Sequence, residues 1–251
     1  MLRRFLDANR RVSQRLELRL PQAREDLFDT YEATVARFMN ARPNQLVVDV
    51  GGGKSCPFAR YRRPELATRI VAVDVSTDEI STNRDVDEAR VGDIMQNLPF
   101  AAGEADMIVS RSVVEHLVSL DAFLATSARV LKPGGAFIHL FPGRFALFAV
   151  INRALPNWLS RRVLFFFHPA AVGICGFPAF YDKCYSTAVE RSLRAHGFEL
   201  EECRITYYQS RYFDFFFPAF LASAAYELIV RAMGWRNLGA YLLIVARKRR
   251  D

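Results

Sequence analysis

Four short apolar runs stand out along the chain: Gln45 to Val50, Arg69 to Asp74, Asp106 to Ser110 and Ala136 to Phe141. Each is mostly apolar and too short for a helix, which predicts buried strands. Between and around them the apolar positions follow a helical period. Leu27, Tyr31, Val35 and Phe38 share one face of a predicted helix over Arg24 to Ala41. Asp121 is placed to cap a helix that stops at Lys132-Pro133-Gly134-Gly135, and Thr187 to Glu190 has capping-box spacing, with Gly197 as the stop. Tyr241 to Ala246 reads as a final apolar strand. Strands alternating with helices predict an α/β fold built on a parallel sheet with crossover helices on both faces. Residues 1–43 form a basic, helical lead-in, and 44–251 form one domain interrupted by two unusually apolar segments, about 143–185 and 208–235.

Composition supports this reading. With 251 residues and 51% of them hydrophobic, the chain buries a full core. The net charge of +7 is concentrated at the ends: residues 1 to 24 hold seven arginines and two acids, and Arg247 to Arg250 add four cations. Such an excess suits an anionic partner, either a membrane surface or nucleic acid. The cysteines at 56, 175, 184 and 203 form no C-x-x-C pair, so no zinc site or disulfide framework is expected, and a reducing cytoplasm is the expected compartment. Glu17 and Arg19 interrupt the first apolar stretch, so no signal peptide is expected. The longest apolar run, the twelve residues between Asp214 and Glu227, is too short for a spanning helix of about 20.

The candidate chemistry begins at VVDVGGGKSC, Val47 to Cys56. Three glycines after a strand mark a tight turn or a close backbone approach to a ligand. A P-loop would need glycine at Val48, and a dinucleotide loop would need it at Cys56. What remains is D-x-G-x-G: Asp49, Gly51 and Gly53. A carboxylate at the mouth of the loop repels a pyrophosphate but suits a cofactor with an amino group and a sulfonium charge, which points to S-adenosylmethionine (SAM). Further along, Asp74 closes the run IVAVD where an acid would accept from two ribose hydroxyls. Asp93 and Ile94, in GDIMQNLPF, are placed for an adenine amino group and ring.

With ADMIVSRSVVEHL and VLKPGGAFIHLFP following in order, the chain resembles a class I SAM-dependent methyltransferase. The resemblance is to the type-11 group, which includes ubiquinone and menaquinone biosynthesis enzymes, and it covers roughly residues 44 to 142. It implies a Rossmann-like seven-stranded sheet, with Asp49, Gly51 and Gly53 at the methionine end of SAM. It further implies Asp74 at the ribose, Asp93 with Ile94 at the adenine, and the backbone around Ser110 along the cofactor. In similar ubiquinone O-methyltransferases the segment reads like SEVVEHV, whose two glutamates and histidine are associated with a divalent metal. Here Ser112 replaces the first carboxylate and Arg111 stands beside it, so no metal is expected.

Methyl transfer to a hydroxyl needs a base, and histidine titrates in the useful range. Of His116, His139, His168 and His196, His116 is the candidate because it follows the strand ends on the cofactor side. Local packing is its alternative role. His139, within a strand, reads as structural, and His196 as a helix-end cation. The two aromatic segments read either as a dry lid or as an amphipathic surface that contacts a membrane peripherally and admits a lipid-like acceptor. The sequence therefore predicts O-methylation of a hydrophobic, lipid-linked or saccharide small molecule, at the inner face of the membrane if the surface reading holds. The alternatives are an RNA methyltransferase, for which no RNA-binding module is found, and a non-catalytic SAM-fold protein.

Overall fold

The computed structural model describes residues 1–24, 26–167 and 177–250. His168 and Cys175, and with them part of the first apolar segment, lie outside the described residues. The helices are α1 (Leu2–Glu17), α2 (Leu27–Met39), the single turn α3 (Thr77–Ile80), α4 (Leu120–Val130), α5 (Leu147–Ala154), α6 (Asn157–Phe167), α7 (Ser186–Ala195) and α8 (Phe217–Ala232). The strands are β1 (Leu46–Val50), β2 (Arg69–Asp74), β3 (Glu88–Val91), β4 (Ala105–Arg111), β5 (Leu131–Pro142), β6 (Phe198–Thr206) and β7 (Tyr241–Lys248). They form one seven-stranded sheet in the order β3-β2-β1-β4-β5-β7-β6. All neighbours are parallel except β7, which runs antiparallel to both β5 and β6.

Each central strand buries both faces. Val47, Ile70, Met107, Ile138 and Val245 pack with Leu27, Tyr31, Val35 and Met39 of α2. Val48, Val71, Ile108, Phe137 and Ile244 pack with Phe123 and Leu124 of α4 and Val189 and Leu193 of α7. Each such side chain contributes roughly 1.5–3 kcal/mol relative to exposure, so the register is firmly fixed. A slip of one residue would turn Asp49 and Asp74 to the wrong face.

Several local signals resolve differently from the sequence pattern. Met39 rather than Phe38 fills the fourth inner position of α2, and its N-cap is Asp26, whose carboxylate accepts from Phe28 N at 2.7 Å. Ser119 caps α4 through Ala122 N at 3.2 Å, while Asp121 pairs with Lys183 of the following connection. Helix α4 ends at Val130, and Lys132 to Gly135 begin β5. No capping box forms at α7: Thr187 N donates to Asn237 Oδ1 at 3.1 Å, and Glu190 accepts from Ser186 Oγ at 3.0 Å. Gly197 does stop the helix, at φ +77°. The β1–β2 crossover consists of 3-10 turns at Pro57–Tyr61 and Pro64–Leu66, each opened by a proline that lacks an amide donor.

Helices α1, α5, α6 and α8 build on the carboxyl side of the sheet. Asn9 Oδ1 accepts from Phe217 N at 2.9 Å, Arg10 donates to the Phe167 carbonyl at 2.5 Å, and Ser13 Oγ donates to the Asp214 carbonyl at 3.1 Å. These bonds bring α1, α6 and α8 together. Glu227, fully buried in α8, accepts from Gln209 N at 2.9 Å, from Ser210 N and from Gln22 Nε2 at 3.2 Å.

Candidate active site

The chain leaves β1 toward β2 on one side, while β4 lies on the other, so the carboxyl ends of β1 and β4 flank a topological switch point, the place where open α/β sheets bind ligands. The glycine loop opens here. Gly51 and Gly53 have φ of +66° and +41°, a backbone region glycine enters without strain. A Cβ on Gly51 would stand 2.3 Å from Val113 Cγ2, and one on Gly52 would stand 2.7 Å from the Ala72 Cβ. Gly52 is thus as sterically required as the two glycines the motif singles out.

Asp74 closes β2 with both carboxylate oxygens engaged: Oδ2 accepts from Gly53 N at 3.1 Å and Oδ1 from Ser76 N at 2.9 Å. Asn83 Nδ2 donates to the carbonyls of Gly52 (3.0 Å) and Gly53 (3.2 Å), and Asp85 accepts from Cys56 N at 2.9 Å. Three side chains therefore hold the loop open from outside. Asn83 and Asp85 carry no motif of their own, so the sequence does not mark them.

Asp49 is buried beneath the loop, and loss of water pushes its carboxyl up to about 7, opposed by the Cys56 thiol and the Arg111 guanidinium. Beside it the Tyr31 hydroxyl is buried with no hydrogen-bond partner. Arg111, at the end of β4, donates to Glu32 of α2 at 3.1 Å. A buried carboxyl that a neighbouring cation would hold ionised, with an unpartnered hydroxyl beside it, suits the ammonium end of an amino acid, so these residues fit SAM. Gly92 N donates to the Asp74 carbonyl at 2.9 Å, which sets Asp93 next to the same crevice. The Asp93 carboxylate accepts from Met95 N (2.9 Å) and Gln96 Nε2 (2.8 Å) and stays partly exposed. The side chain of Ile94 belongs to the core on the α4 side. Ser110 is also core: its hydroxyl meets His139 Nδ1 at 2.6 Å, leaving only its backbone for a cofactor. His139, packed on Phe137 and pushed down to about 3 by burial, is structural.

His116 lies beyond β4, in a 3-10 turn at Val114–His116. Its Nδ1 is 2.9 Å from the Pro178 carbonyl. A carbonyl only accepts, so Nδ1 carries the proton and Nε2 the lone pair. Burial holds its pKa below the ordinary histidine value, which keeps the ring neutral at pH 7. Nε2 is 3.9 Å from Glu115 Oε1. Ser112, at φ +58°, turns the chain toward this pair. Aromatic side chains from four other elements cluster together: Phe28 lies edge-on to Tyr241 (centroids 5.4 Å), Phe148 stacks on Tyr212 (4.3 Å), and the Tyr212 and Tyr241 hydroxyls are 2.5 Å apart. Of these, Tyr241 lies within electrostatic reach of Glu115, while the ring edge-on to His116 is Phe177, at 6.3 Å. Among the described residues no group of three His, Cys, Asp or Glu side chains converges as a metal site would require. Two surface clefts, of about 90 and 430 Å³, open elsewhere, at the amino ends of the strands near Gln45 and Arg69.

Residues 48–139 match the type-11 family described as "Methyltransferase domain". The ubiquinone/menaquinone biosynthesis C-methyltransferase UbiE of Caulobacter sp. (strain K31) is 29% identical over 124 residues, covering 44% of this chain and 49% of the relative. The chain thus aligns with about half the length of that relative. Among solved structures, the [4+2]-cyclase SpnF (TM-score 0.56, 19% identity) covers 89% of this chain and 82% of its own. Geranyl diphosphate C-methyltransferase from Streptomyces coelicolor A3(2) (TM-score 0.56, 14% identity) covers 88% and 76%. The fold is therefore the class I methyltransferase fold, and residues 48–139 within it match the type-11 methyltransferase domain.

Proposed function

We propose that this protein transfers the methyl group of SAM to an oxygen of a hydrophobic small molecule, lipid-linked or bearing an apolar ring. A cyclase shares the fold, so fold alone does not assign the reaction; the site supports it. The observation that carries the reading is the pairing of a SAM-compatible loop with the aromatic cluster of Phe28, Phe148, Tyr212 and Tyr241, whose Tyr241 lies within electrostatic reach of Glu115, the neighbour of His116. Asp49, Gly51, Gly53, Asp74 and Asp93 hold the cofactor in this scheme. Bound there, SAM supplies an electrophilic methyl on sulfur. His116 Nε2 takes the acceptor proton, and the aromatic wall orients the acceptor ring and excludes water.

A second reading, methylation at carbon, draws support from the C-methyltransferase names of the relatives. The nucleic-acid alternative finds no support among these named reactions. The test is incubation of the purified protein with 13C-methyl SAM and, in parallel, total lipid extract and total RNA. Label in the organic phase at a methoxy chemical shift is the expected result. A carbon-bound methyl shift would select the second reading, and label confined to RNA would overturn both.

A further inference from the structure

Asp49, Asp74 and Asp93 set carboxyl groups around one crevice. An amino acid bound there meets acids for its ammonium group, but the motif residues offer no countercharge for its own carboxylate. The sheet register supplies one from outside the motif. On the face covered by α2, Val47 and Asp49 of β1 alternate in step with Met107, Val109 and Arg111 of β4, and Asp49 is paired with Val109. Strand spacing and rise put the Cα of Arg111 about 8 Å from that of Asp49, one step further toward the carboxyl ends, where the glycine loop opens.

Arg111 is oriented there but not saturated. Its Nη1 donates to Glu32 Oε1 at 3.1 Å, and its guanidinium lies 5.9 Å from the Phe28 ring, both on α2. Glu32 has a second cation, Arg60 Nη2, at 2.6 Å. The three side chains therefore carry one net positive charge, and the buried Glu32 keeps a partner even when Arg111 turns toward a ligand. A guanidinium presents five N–H donors in a planar fork. Among the described residues Glu32 is the only hydrogen-bond partner of Arg111, and the arginine side chain stays 33% exposed.

Tyr31 supplies a second donor. It precedes Glu32 on α2, at 2% exposure and edge-on to Phe58 of the turn after the glycine loop (centroids 6.4 Å), and its hydroxyl has no partner. Asp49, Cys56 and Arg111 lie within its electrostatic reach, and burial keeps the phenol protonated. Buried polar atoms are paired in the great majority of cases, so an open hydroxyl beside an acid and an arginine marks the place of a ligand atom.

We propose that Arg111 and Tyr31 bind the carboxylate of the amino-acid part of SAM, with Asp49 taking its ammonium group and Glu32 positioning the Arg111 guanidinium. This rests on the methyltransferase reading and deepens it, because α2, outside the matched residues 48–139, becomes part of the cofactor site. Acid, ammonium, carboxylate and guanidinium then alternate in charge across the pocket, and none is buried without a counterion. The fork of an arginine meets both oxygens of a carboxylate, which a lysine does not.

The test compares, by calorimetry on the full chain, S-adenosylhomocysteine with its decarboxylated analogue S-adenosyl-3-thiopropylamine, which keeps the ammonium group and lacks the carboxylate. The wild type is expected to bind S-adenosylhomocysteine roughly ten- to a hundredfold more tightly, as a charged hydrogen bond implies. Arg111→Met is expected to cut that preference below about threefold while leaving affinity for the analogue nearly unchanged. Arg111→Lys, which keeps the charge without the fork, should fall between. Tyr31→Phe should weaken S-adenosylhomocysteine about three- to tenfold and spare the analogue. The ratio of the two affinities isolates the carboxylate contact, since a general loss of packing lowers both. Equal binding of the two compounds by the wild type overturns the proposal without any variant, even if Arg111→Met fails to fold. A preference that survives in Arg111→Met overturns it as well, as does one lost instead in Lys54→Met, which removes the exposed cation of the glycine loop. If neither compound binds, the methyltransferase reading falls too.

Discussion

Asp49 gives the site a pH signature. Its folded pKa of about 7 lies above the ordinary carboxylate value because it is buried. The stability it contributes is therefore complete below the unfolded pKa and is lost as pH rises through about 7. A cation seated beside it reverses the preference and favours the ionised form. Affinity for SAM is thus expected to weaken as pH falls below about 7, by up to about tenfold per unit, while the thermal protection SAM gives should grow from pH 6 to 8. Calorimetry across that range checks both trends, and Asp49→Asn should flatten them. In the proposed scheme Asp74 acts twice, accepting from Gly53 N and Ser76 N and meeting the ribose of SAM. Asp74→Ala should weaken SAM binding by about 1.5–3 kcal/mol for each charged hydrogen bond lost and also lower the melting temperature. Unchanged affinity would remove Asp74 from the site. His116→Ala should leave SAM affinity intact and lower turnover of the true acceptor by roughly 10² to 10⁴-fold. A change under about threefold would make its bond to Pro178 its whole role.

At the scale of elements, α8 hangs on one buried carboxyl. Replacing Glu227 by alanine would strand the amides of Gln209 and Ser210 in the interior, a loss of about 1–3 kcal/mol for each orphaned donor. Urea denaturation should show that loss in the midpoint. Such tertiary anchors were not legible in the sequence, where Gln22, Gln209 and Glu227 are far apart. The four central strands and the last one were legible, because strands buried on both faces read as continuous apolar runs. The edge strands were not. Glu88 to Val91 is one short polar-apolar alternation, and β6 buries few of its residues fully. The glycine loop was readable because D-x-G-x-G and the acid closing β2 are local signals. Tyr31, Asn83 and the Phe28–Tyr241 wall become neighbours only through the fold. The first helix cap at Asp121 misled because Ser119, two residues earlier, is equally suited and Asp121 found Lys183 instead.

At the scale of the molecule, the distribution of exposed apolar side chains makes a prediction about surfaces. Phe5 of α1, Trp158 of α6 and Phe216 just before α8 are 52%, 67% and 43% exposed, and α1, α6 and α8 meet through the Asn9, Arg10 and Ser13 bonds. On the same helix as Phe5, Arg3, Arg4, Arg11 and Arg15 are exposed. No described helix is long and apolar enough to cross a membrane. Exposed aromatic side chains beside exposed arginines suit contact with an anionic bilayer. Near such a surface each arginine contributes on the order of 1 kcal/mol, and each inserted aromatic side chain adds roughly 1.5–3 kcal/mol if fully buried. Neither contribution alone need hold the protein, but together they should. The protein is expected to sediment with anionic liposomes at low salt, to be released as salt screens the arginines, and to be weakened by serine at Phe5, Trp158 and Phe216. Those three positions are the informative ones, because Phe215 and Phe217 are half-buried in ring stacks with Phe167 and Phe220 and their loss would disturb the packing itself. If the wild type stays in the supernatant at low salt, the aromatic helices close a lid instead. The same serine substitutions would then leave the liposome assay unchanged and act, if at all, on the apparent KM for a dissolved acceptor.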